Sequence, residues 1–82
     1  MGIEEEMYQL LQESWKYVNT PFTSNSAKAE VGKYATNPFR VENKVGMLFA
    51  LQTAWTFVHG SGDEKLVQKF RDVREKYHNN TP

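Results

Sequence analysis

The sequence predicts an all-α fold, a small helical bundle of three main helices plus one short helix. Two segments carry apolar residues at helical spacing, a third is apolar nearly throughout, and no segment alternates as a strand would. The helices are expected at about 3–18, 26–35, 38–59 and 62–78, in one domain. A chain of 82 residues has room for a single core.

In the first segment Ile3, Met7, Leu10, Leu11, Trp15 and Val18 fall on one stripe. Glu4, Glu5 and Glu6 lie in its first turn and Lys16 near its last, each placed to offset the helix dipole. Asn19-Thr20-Pro21-Phe22 stops it, since proline has no amide hydrogen and disfavours helical geometry in the residue before it.

A short helix follows, capped by Ser24, Asn25 or Ser26 and carrying Ala27, Val31, Tyr34 and Ala35 on one side. Gly32 and the sparse apolar residues make it marginal alone, so it must dock on a neighbour. Asn37 then supplies a cap and Pro38 a first helical residue, and the earlier Thr20-Pro21-Phe22 is expected to act similarly. Asn37-Pro38-Phe39 also resembles the tripeptide ligand read by endocytic EH domains. Helix initiation, with Phe39 packed inward, accounts for all three residues and is preferred.

From Val45 to Val58, ten of fourteen residues are apolar and none is charged. Such a helix belongs in the middle of a bundle or against a second copy of the chain. It is too short and too interrupted to span a bilayer. Glycines 60 and 62 suit a left-handed C-terminal cap, and Ser61-Gly62-Asp63-Glu64 has the capping-box form. The last helix aligns Leu66, Phe70, Val73 and Tyr77; its interleaved Lys, Arg, Asp and Glu read as a solvated face.

Cysteine is absent, which removes disulfides, thiolate nucleophiles and Cys-based zinc sites. His59 and His78 have no acid or serine at a spacing that suggests a site, and no nucleotide-loop, metalloprotease or nucleophile-elbow motif occurs. No catalytic, metal or cofactor residues are therefore expected, and the chain is read as not an enzyme. The acidic start is unlike a signal peptide, so the cytoplasm is the expected compartment. Asn79-Asn80-Thr81 is read as a polar tail rather than a glycosylation acceptor.

Ten basic and ten acidic residues give a formal charge of zero, which argues against general polyanion binding. The charges are segregated all the same. Residues 1–13 are net minus four, 14–45 net plus three, and 61 onward net plus one. Lys28, Lys33, Tyr34, Arg40 and Lys44 in the middle segment are the candidate site for an anionic ligand: a nucleotide, cyclic oligonucleotide or short nucleic acid. That is the alternative function. The preferred one is a non-catalytic protein acting through protein–protein contacts as a regulator or inhibitor, a type common among accessory and phage-encoded chains. Its apolar third helix and aromatic surplus point to a homodimer, with Trp15, Met47, Leu51, Trp55 and Phe57 as candidate interface residues.

Overall fold

The computed structural model describes residues 2–36 and 44–79, and among these residues the chain forms four α-helices and no strand. They are α1 (Ile3–Val18), α2 (Asn25–Ala35), α3 (Lys44–Val58) and α4 (Glu64–Asn79). The all-α expectation holds. The expected start of the third helix at Asn37 and Pro38, and with it the Asn-Pro-Phe tripeptide, lies outside the described residues. No helix among the described residues is long and apolar enough to cross a membrane.

The central pair is α1 with α3; α2 packs on one side of it and α4 on the other, and α2 and α4 do not meet. The α1 stripe is wide enough to serve three neighbours, burying Met7, Leu10, Leu11, Ser14 and Val18. On α3 the side toward α1 is Met47, Ala50, Ala54 and Val58, all essentially inaccessible. Two alanines one turn apart let the backbones approach closely, because interaxial distance follows side-chain size at the contact. Val31, Leu66 and Phe70 complete the core from α2 and α4. Ser14 is buried without penalty, since its hydroxyl donates to the Leu11 carbonyl at 3.0 Å.

On α2 the cap is Ser24, whose hydroxyl accepts from the Ala27 amide at 3.3 Å. Gly32 has a packing role beyond its low helix propensity. A Cβ there would lie 2.8 Å from Cη2 of Trp15, so the missing side chain is what lets the indole lie on the α2 backbone. The glycine costs about 1 kcal/mol in propensity, and the covered indole offsets that cost.

Two local expectations are corrected. Phe22 does not pack inward to start α2: it is 98% exposed, and Thr23 is the buried residue of this turn, its hydroxyl 2.8 Å from that of Thr20. At the start of α4 the cap is Asp63 and not Ser61. Helix begins at Glu64, so the Asp63 carboxylate, one residue earlier, accepts the Leu66 amide at 3.2 Å. Ser61 lies too early and instead locks the turn, accepting from the Asp63 amide at 3.1 Å and donating to the Val58 carbonyl at 2.6 Å. Of the two glycines, Gly62 adopts positive φ (+85°), beside the α4 cap rather than directly after α3.

Candidate binding groove

Three contacts along one flank of α4 fasten it to α1. The Tyr17 hydroxyl donates to Asp63 Oδ2 at 2.6 Å, Lys69 pairs with Glu13 at 2.9 Å, and Lys76 pairs with Glu6 at 2.8 Å. Residue numbers fall on α1 as they rise on α4, the signature of an antiparallel seam. The hydrogen bond from Tyr17, then that from the Leu66 amide, hold the Asp63 carboxyl below its ordinary value, with Lys16 and Lys69 adding attraction. The same bond, helped by desolvation and the Asp63 charge, raises the Tyr17 hydroxyl.

The opposite flank of α4 has no such fastening. At 100° per residue Arg71, Arg74 and His78 line up on the side toward α3, and α3 has no charged side chain from Val45 to Val58 to meet them. There α4 leans on α1 and touches α3 lightly. The two helices come together at Trp55 and Phe70, whose rings lie 5.8 Å apart. Trp55 also stacks at 5.5 Å on His59, beside the α3–α4 turn.

The space left between them is a groove of about 540 Å³. Met7 and Leu10 of α1 form its floor, Leu48, Leu51 and Trp55 the α3 wall, and Phe70, Val73 and Tyr77 the α4 wall. Gln52, Arg71, Arg74 and His78 make up its lip. Apolar surface continues from Leu48 around α3 to Val45 and Phe49, which are 61% and 58% exposed. A concave apolar surface with a few polar groups at its edge is the usual form of a recognition site.

The residues singled out from sequence scatter across this arrangement. Leu51 and Trp55 form the groove wall. Met47, expected at an interface, is instead a core residue at 1% exposure, because it falls on the α1 side of α3. Phe57 is half-buried against the core on the side of α3 away from the groove, and Trp15 is half-buried over Gly32. Of the anionic-ligand set, Lys28 and Tyr34 are half-buried and Lys33 is exposed with its ammonium 5.6 Å from the Tyr34 ring centre. Lys28 and Lys33 are five residues apart, which turns them about 140° from each other on α2. Arg40 and the Lys44 side chain lie outside the described residues.

Arg71, Arg74 and His78 were not legible as a set, because along the chain they alternate with Asp72 and Glu75. Their spacing of three and four residues is the signal that sorts them to one flank. Compared with known proteins, the chain matches no family model, no curated protein and no solved structure.

Proposed function

We propose that this chain is a non-catalytic binding protein that regulates or inhibits a partner protein by docking it in the groove between α3 and α4. The observation supporting this reading is the groove itself, whose apolar walls extend onto the exposed Val45 and Phe49. Contiguous apolar surface of this kind on a small domain marks an interaction site. Pairing of two copies over α3 is a competing use of the same surface, and one experiment separates the two.

The tagged chain is recovered gently from its host's lysate and weighed by native mass spectrometry, alongside a Leu48→Glu variant that puts a carboxylate in the groove wall. A protein-sized added mass is expected on the original chain and not on the variant, with the helical circular dichroism of both unchanged. A homodimer lost in the variant, with no other protein attached, would reassign the groove to self-association. A small added mass that disappears at high salt and on Lys33→Glu would instead favour the anionic-ligand site on α2.

A further inference from the structure

We infer that the groove takes an amphipathic helix whose apolar side is bordered, along one edge only, by carboxylates. This rests on the docking reading above and specifies the partner's chemistry. Charge complementarity carries it. Among the described residues, Arg71 and Arg74 stand on the lip with no ion pair and no acid lines the groove. The nearby acids of α1 that face α4, Glu6 and Glu13, are taken by Lys76 and Lys69 on its other flank. The opposite lip, contributed by α3, is uncharged from Val45 to Val58. A ligand lying in the groove therefore meets cations on one side and neutral surface on the other.

The dimensions favour a helix. The groove walls run from Leu48 to Trp55 on α3 and from Phe70 to His78 on α4, which at 1.5 Å per residue is roughly 10–12 Å, or two helical turns. Two turns present apolar anchors at i, i+3 or i+4, and i+7, the pattern of helix-in-groove recognition. Guanidinium groups at the lip suit carboxylates, which they bind in a fork geometry. A second copy packed symmetrically about the groove would bring Arg71 and Arg74 toward their own duplicates, which disfavours that occupant.

The test uses two fluorescein-labelled 18-residue helical peptides with leucines at i, i+4 and i+7. One carries three glutamates along one edge of the leucine stripe, and the other carries lysines at the same places. Anisotropy titrations with the full chain should show saturable binding of the glutamate peptide, weakened by salt, and little binding of the lysine peptide. Arg71→Glu/Arg74→Glu should weaken the glutamate peptide by about tenfold or more and strengthen the lysine peptide, because each reversal replaces attraction with repulsion at the lip. Leu48→Glu should abolish binding of the glutamate peptide. Because that variant adds an acid beside the arginines, a circular dichroism melt of each variant confirms folding.

Equal binding of both peptides, lost in Leu48→Glu, would overturn the acidic-edge inference while leaving groove docking intact. Binding of neither peptide would overturn the inference as well. Sedimentation then decides the parent reading: a dimer dissociated by Leu48→Glu would assign the groove to a second copy, and a monomer would remove the helix-docking use altogether.

Discussion

The two flanks of α4 each carry a pair of cations and behave in opposite ways. On one, Lys69 and Lys76 reach Glu13 and Glu6 of α1, and the helices lie together along their length. On the other, Arg71 and Arg74 face α3, which offers no carboxylate, and the helices part into a groove. The difference lies in the neighbours and not in α4. An amphipathic helix seats against whichever partner answers both its apolar stripe and its charged edges, and only α1 answers both.

The largest expected effect comes from setting the closed core against the open groove wall. Leu11 is completely buried on α1, whereas Leu48 is half-buried on the open wall of α3. Leu11→Ala should cost about 2–5 kcal/mol, the usual range for a leucine lost from a core. A domain of this size has of order 4–12 kcal/mol in total, so this variant should unfold at markedly lower urea. Leu48→Ala should cost about 1 kcal/mol or less, since its site is open and leaves no enclosed cavity. Equal urea midpoints for the two would mean that the groove is closed in solution.

Much of this fold was legible from the sequence, and the limits have physical causes. The helices appeared because Met7, Leu10, Leu11 and Val18, or Leu66, Phe70, Val73 and Tyr77, repeat at a period that only a helix brings to one side. Gly32 looked like a weakness because its value depends on Trp15, seventeen residues away, and no local pattern encodes that pairing. Phe22 looked like a core residue because composition cannot tell a turn's apex from its base. The groove was half legible: Leu51 and Trp55 were visible as surplus apolar surface, while the α4 wall and lip were read as core and solvated charge. Whether a helix's flank is closed or open is decided by what the neighbouring helix carries, and that requires the packing.

A smaller effect should come from the hinge of the closed seam, the Tyr17–Asp63 hydrogen bond. Because folding lowers the Asp63 pKa, the folded state binds that proton less well than the unfolded chain. Its contribution to stability is present above the ordinary value of 3.8 and is lost as pH falls through the lower, folded value. For Tyr17 the pKa is raised, so its contribution is present below pH 10.0 and is lost as pH climbs beyond that. Tyr17→Phe should lower the melting temperature at neutral pH and flatten both limbs of the stability profile. Asp63→Asn should flatten the acid limb further, because the Leu66 amide and the nearby lysines also hold that carboxyl low, and should weaken the cap of α4 as well. An acid limb unchanged in both variants would show that the bond does not hold the seam.

The smallest effect is the most discriminating between the flanks. Glu6→Gln with Glu13→Gln removes both ion pairs from the closed side, where exposed pairs are worth roughly 0.2–1 kcal/mol each. That loss should shrink as salt is raised, since these groups are open to screening. Arg71→Gln with Arg74→Gln removes two cations that have no ion pair to lose among the described residues. It should leave the melting temperature within error, since the repulsion eased between the two arginines is offset by the attraction lost between Arg71 and Glu75 one turn on. Stability indifferent to the arginines, set beside binding that depends on them, would mean that the groove flank serves a ligand rather than the fold. A loss from the arginine pair as large as that from the glutamate pair would mean instead that both flanks of α4 are fastened within the chain.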